Sequence, residues 1–130
     1  MATTILPRAR SATASSSSPP GGGARTLPGM ILESATLNVL PGREDEFLAA
    51  FAQAKPLIAG RPGFRGLELR RCLDEGLGSR FLLQVRWEQL SDHTEGFRRS
   101  AEYERWRELL HHFYAPFPSV EHYGEPVHRA

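Results

Sequence analysis

The chain has 130 residues, a single cysteine (Cys72), a single lysine (Lys55) and a formal net charge of +1. That length suits one domain with one core and excludes two. The lone cysteine excludes an intramolecular disulfide and a cysteine-pair zinc site, and no apolar run is long enough for a membrane-spanning helix.

Charge is unevenly placed. Arg8, Arg10 and Arg25 lie in a leader of 29 residues that holds no acid, and setting those three aside turns +1 into −2 for the remainder. A near-neutral, slightly acidic domain carries no basic footprint for nucleic acid. The cysteine count fits a reducing, cytoplasmic setting. Residues 1–29 are rich in Ser, Ala, Pro and Gly and bury too little apolar surface to offset ordering, so disorder is expected there. Their Arg-rich, acid-poor character suits a transit-like segment or a start called upstream of the true one. The second, or a plain tail, is favoured, because Met30 opens directly into a strand pattern. Residues 30–127 are read as the domain and 128–130 as a tail.

Residues 30–39 alternate, with Ile31, Glu33, Ala35, Leu37 and Val39 on one face and Leu32, Ser34, Thr36 and Asn38 on the other, which predicts a strand. Pro41-Gly42 breaks it. Glu44, Asp45 and Glu46 then suit a helix N-terminus, and Phe47, Phe51, Ala54 and Ile58 form one apolar stripe to about Ala59, with Pro56 in the last turn. After Arg61-Pro62-Gly63, a second strand spans 64–72 and a third 80–88, joined by the hairpin loop Asp74-Glu75-Gly76-Leu77-Gly78.

Ser91 or Asp92, with Glu95, suits the start of a short helix to about Arg99. Ser100 caps a third helix whose buried face is Tyr103, Trp106, Leu110 and Phe113. Pro116 and Pro118 end it, and residues 120–123 supply a last strand. The order β-α-β-β-α-α-β is the split βαβ of an α+β, ferredoxin-like domain, an antiparallel sheet with helices on one face. The other face carries Leu32, Phe64 and Leu82 among polar residues, which points to a homodimer packed sheet on sheet.

The stretches ILESATLNVLPGREDEFLAAF, PGFRGLELRRC, FLLQVRWEQLSDHTEGFRRSAEYERWRELLHHFY and PFPSVEHY resemble the antibiotic-biosynthesis monooxygenase family of small dimeric α+β barrels, across residues 30–127. The resemblance implies a pocket between the sheet and the second and third helices. It also implies one of three activities: oxidation of a phenolic, anthrone-like or quinol substrate with O2 and no metal or flavin, haem degradation, or no assigned reaction. The haem branch of the family uses an asparagine in the middle of the first strand, a tryptophan on the second helix and an iron-binding histidine on the third. This chain has Ala35, Phe97 and Arg107 at those places. Asn38 lies near the strand's end, and His111 and His112 come about one turn too late, so haem is not expected.

Candidate residues follow from chemistry and position. His93 starts a helix, where the neutral imidazole is favoured, and is the candidate base toward a phenol; its plainer reading is a surface histidine. Trp87, Phe97, Tyr103 and Trp106 are candidate pocket walls, or simply core. His111 is a candidate substrate contact, although it and His112 fall off the helix's buried face and suit its C-terminal dipole. Asn38 and Arg86 are candidate polar stabilisers if a bulge turns either toward the pocket; otherwise they join Gln84 and Arg70 in a wet network on the open face. The side to which His122 points is not fixed by the alternation. The expectation is a cofactor-independent monooxygenase with O2 as co-substrate and no metal, acting on a small aromatic molecule, with a non-catalytic dimeric binding module as the rival. No nucleic-acid or membrane partner is expected.

Overall fold

Alternation from Ile31 becomes strand β1, Ile31–Asn38, in a computed structural model that describes residues 30–130. The expectations for residues 1–29 fall outside that range. Helix α1, Glu44–Ala59, follows with three acids in its first turn and buries Phe47, Phe51, Ala54 and Ile58 as the stripe predicts. Strands β2, Phe64–Arg71, and β3, Arg80–Trp87, form the hairpin. Helix α2, Ala101–Leu110, and strand β4, Val120–Tyr123, complete the order. The four strands run β2-β3-β1-β4, every neighbouring pair antiparallel, which is the α+β ferredoxin-like arrangement that the sequence predicts.

Two elements differ from expectation. Residues Asp92–Phe97 form a π-helical turn, not an α-helix, and Ser91 makes no side-chain cap. Asp92 instead folds back, its Oδ2 accepting from Gln89 N at 3.0 Å, while Arg98 N reaches His93 O at 2.9 Å. The wider turn lets His93 and Phe97 both face the core. The second difference is a bulge between Phe64 and Gly66. The extra residue reverses the side-chain alternation at its start, so Phe64 packs edge-on against Trp87, at 5.9 Å between centroids, and does not join Leu32 and Leu82 on the open face.

The core lies between the sheet and the helices. At one end it is wholly apolar, with Phe47 meeting Phe51, Phe81 and Phe113 at 5.1–5.9 Å. Fully buried side chains of this size each contribute roughly 1.5–3 kcal/mol. At the other end two polar residues, Glu33 and His93, are buried with the rest.

Candidate active site

In the ladder Glu33 of β1 stands opposite Val85 of β3 on one side and His122 of β4 on the other. Directly opposed residues of neighbouring strands project to the same face. The alternation that buries Ala35 and Leu37 therefore buries Glu33, at 5% exposure, and turns the half-buried His122 toward the helices. The π-helical turn lays His93, 3% exposed, across this pair. His93 Nδ1 is 2.8 Å from His122 Nε2, and its Nε2 is 3.5 Å from Glu33 Oε1. Trp87, opposite Ile31 in the ladder and so diagonal to Glu33, donates its Nε1–H to the same oxygen at 2.9 Å. Its indole also stacks on the His93 ring, with 5.7 Å between centroids. Among the described residues Glu33 Oε2 has no hydrogen-bond partner, yet it is not sealed in the core.

Local sequence holds the turn in place. Gly63 has φ +84°, and a Cβ there would fall on the Asp92 carboxylate. Its carbonyl accepts from Glu88 N at 2.8 Å. A glycine is needed both for the backbone angle and for the close approach. At the far end Ser100 accepts from Tyr103 N at 3.1 Å, the N-cap that the sequence predicts for α2.

Removal from water sets the electrostatics. Burial holds the Glu33 carboxyl above the usual carboxylate range, opposed by the Trp87 hydrogen bond and by the Arg98 charge. Burial, then Arg98, then His122 push His93 down to about 3. His122 and His111 are also lowered, chiefly by burial, and burial raises the Tyr114 hydroxyl. At neutral pH the histidines here are thus uncharged. A ring held at about 3 does not keep a proton at pH 7, so His93 fits the expected role of base only as a group that passes a proton on.

Beside this trio lies a cavity of about 150 Å³. Glu33, His93 and Arg98 form one wall, and Phe97, Tyr103, Trp106 and His111 are among the others. Three of the four predicted wall residues, the predicted substrate contact His111 and the predicted base thus meet in one place. Trp87 stands behind His93 and Phe97, not on the cavity surface. His111 departs from the helical wheel, because α2 ends at Leu110 and a 3₁₀ turn, His111–Phe113, takes over. Leu40 N bonds Phe113 O at 2.9 Å and Ala115 N bonds Asn38 O at 3.0 Å, which swings His111 against Tyr103, Tyr114 and Phe117. His112 remains exposed.

Asn38 and Arg86 are not brought to the cavity. The bulge lies in β2 and leaves the alternation of β1 and β3 intact. Asn38 Oδ1 accepts from Arg80 Nε at 3.4 Å, and Arg86 Nη1 lies 3.7 Å from Glu68 Oε1, which Arg70 Nη2 meets at 2.9 Å. Both side chains lie on the open face, in two separate polar groups, and neither lines the cavity. Sequence reasoning missed Glu33 as a site residue, and with it Arg98. The signal for Glu33 was present: one acid on a strand face otherwise made of Ile31, Ala35, Leu37 and Val39. Among the described residues no three His, Cys, Asp or Glu side chains are arranged to hold a metal ion, and no helix is long and apolar enough to cross a membrane.

Comparison with known proteins places the fold and the family. The family model for antibiotic biosynthesis monooxygenase matches residues 30–109. YczJ of Bacillus subtilis (strain 168), an uncharacterised protein, is 50% identical over 96 residues, covering 74% of this chain and 99% of that one. A Bordetella bronchiseptica structure assigned to the antibiotic biosynthesis monooxygenases is 38% identical with a TM-score of 0.71, over 76% of this chain and 99% of that one. SnoaB of Streptomyces nogalater, a cofactor-independent oxygenase, shares the fold at 17% identity and a TM-score of 0.61, over 78% of this chain and 96% of that one. With the family model spanning most of the domain and two relatives well above 30% identity, this chain belongs to the antibiotic biosynthesis monooxygenase family.

Proposed function

We propose that the protein is a cofactor-independent monooxygenase of a single-ring phenol or hydroquinone. The observation that carries this reading is the cavity of about 150 Å³ walled by aromatic rings on some sides and by Glu33, His93 and Arg98 on another. A cavity of about 150 Å³ accommodates one benzene ring. The three fused rings of an anthrone need more, which narrows the substrates that the sequence suggests.

In such a reaction the ring hydroxyl loses its proton and the electron-rich anion reduces O2. One oxygen atom replaces a ring C–H hydrogen and becomes a second carbonyl, and the other leaves as water. Phenol plus O2 thus gives quinone plus water, with every electron drawn from the substrate. The protein's share is a dry aromatic slot, a proton acceptor and a positive charge near the developing anion. Arg98, at the cavity wall and acting on Glu33, His93 and His111 alike, supplies that charge. The working form is a homodimer joined through the open sheet face, where Leu32 and Leu82 are only partly covered, and its place is the cytoplasm.

The test is oxygen uptake by metal-stripped protein offered hydroquinones, catechols, simple phenols and anthrones. Saturable uptake above autoxidation with single-ring compounds, and none with anthrones, is the expected result. Tight binding of single-ring compounds without uptake would replace the enzyme with a ligand-binding module.

A further inference from the structure

We infer that Glu33 takes the proton from the substrate and that His93 and His122 conduct it out of the cavity to the solvent side of β4. The inference rests on the reading above for its substrate, not for its path. Three groups form an unbroken series from cavity to surface: Glu33 on the cavity wall, His93 Nε2 at 3.5 Å from its Oε1, and His122 Nε2 at 2.8 Å from His93 Nδ1. The series begins fully buried and ends half-exposed on an edge strand.

Proton bookkeeping fits the contacts. A 2.8 Å approach of two uncharged imidazoles needs one N–H and one lone pair. With the hydrogen on His93 Nδ1, its Nε2 presents a lone pair to Glu33 Oε1. An ionised carboxylate would repel that lone pair, whereas a protonated one donates to it, and burial shifts the carboxyl in that direction. A hydroxyl proton arriving at the open Oε2 then displaces the proton on Oε1. That proton passes to His93 Nε2, the Nδ1 proton passes to His122 Nε2, and His122 releases one to water. The substrate is left as an anion beside Arg98, and one proton has left the cavity. Water formation later in the cycle needs a proton back, and the reverse passage restores both histidines to their first tautomers. The 3.5 Å step is long for a hydrogen bond, and such contacts shorten when substrate closes the site.

The other titratable groups around this corner do not offer an alternative. The Arg98 guanidinium has only N–H donors and no lone pair to take a proton. Tyr114 and Tyr103 line the cavity, and burial holds the Tyr114 proton more tightly than that of a free phenol. His111 packs against Tyr103, Tyr114 and Phe117 and has no hydrogen-bonded neighbour to hand a proton to among the described residues.

The experiment mixes 4-nitrophenol, a single-ring phenol whose anion is coloured, with the full chain in weak buffer holding a pH indicator. Wild type is expected to bind it as the anion and to release one proton per molecule. Glu33→Gln, which keeps an acceptor for Trp87, is expected to bind it uncoloured and release none. His122→Phe is expected to bind it with proton release slowed about 10²-fold, the scale of a lost proton-transfer group, and with the solvent isotope effect on release changed. Equal anion formation in wild type and Glu33→Gln would overturn the role of Glu33. Release at the wild-type rate from His122→Phe would overturn the path. Failure of 4-nitrophenol to bind would remove the single-ring substrate and this inference with it. Proton release without oxygen uptake on any phenol would keep the path and remove the oxygenase.

Discussion

Glu33 and Glu68 lie on opposite faces of one sheet, and each has two nitrogen neighbours from other residues. Glu68, about one-third exposed, sits between the guanidinium groups of Arg70 and Arg86. Glu33, 5% exposed, has no cation in contact among the described residues and meets an indole N–H and an imidazole. Water separates the two cases. In the single protomer the charges on the open face are solvated and pairing is worth little. Under the helices a carboxylate without a cation is expensive, and burial strengthens its hold on its proton. A fold that needed only stability would have placed an aliphatic side chain opposite Val85. The buried acid therefore singles out the candidate site.

The largest effect that sharpens this contrast is the response to acid. His93 has a folded value of about 3 against 6.5 in the unfolded chain. The unfolded state thus binds more protons between those values, and stability is complete above about pH 6.5 and falls as pH drops toward 3. The loss reaches roughly 4–5 kcal/mol. Urea unfolding of wild type at successive pH values should show it, and His93→Phe, which keeps the stack on Trp87, should flatten that limb.

Next in size is the turn that carries His93. Gly63→Ala forces a side chain into φ +84° and onto the Asp92 carboxylate, at a cost of about 2 kcal/mol. Thermal unfolding reads the loss, and proton release from 4-nitrophenol should slow with it. This variant breaks the buried end without touching Glu33 or either histidine of the path.

Glu33→Gln has the opposite sign. Because the folded value of Glu33 is raised above 4.5, its contribution is complete below about pH 4.5 and is lost as pH rises through the folded value. The amide carries no charge to desolvate and still accepts from Trp87. The variant should be more stable than wild type by about 1 kcal/mol at pH 8 while losing function, the usual exchange at a site held away from its stability optimum. A loss of stability at pH 8 would mean that the carboxyl serves packing.

Much of this was legible in the sequence. Period two and the Phe47, Phe51, Ala54, Ile58 stripe fixed the strands and α1 because local pattern and burial agree there. Ser100 declared itself as a cap, and the aromatic walls followed from helical spacing. The π-helical turn was not legible, since the local fold-back of Asp92 to Gln89 also needs Gly63 to make room, a contact between segments far apart in the chain. His122 could not be assigned a side without the register that sets it opposite Glu33. Asn38 and Arg86 looked equally able to serve a pocket or an open face, and only the position of the bulge in β2 decides between them.

The smallest effect belongs to the open face, and it tests the other half of the comparison. Arg70→Ala removes the 2.9 Å partner of Glu68, both side chains being substantially exposed. Arg86 remains within 3.7 Å, and water replaces what is lost. An exposed pair of this kind contributes at most about 1 kcal/mol and often nothing measurable. For the dissociated protomer the expected change in urea unfolding is therefore below about 0.5 kcal/mol, shrinking further as salt is added. At concentrations where the proposed homodimer covers this face, the same substitution should cost more, and the wild-type stability should rise with protein concentration. A change that stays small at every concentration would mean that the two copies do not join through this face.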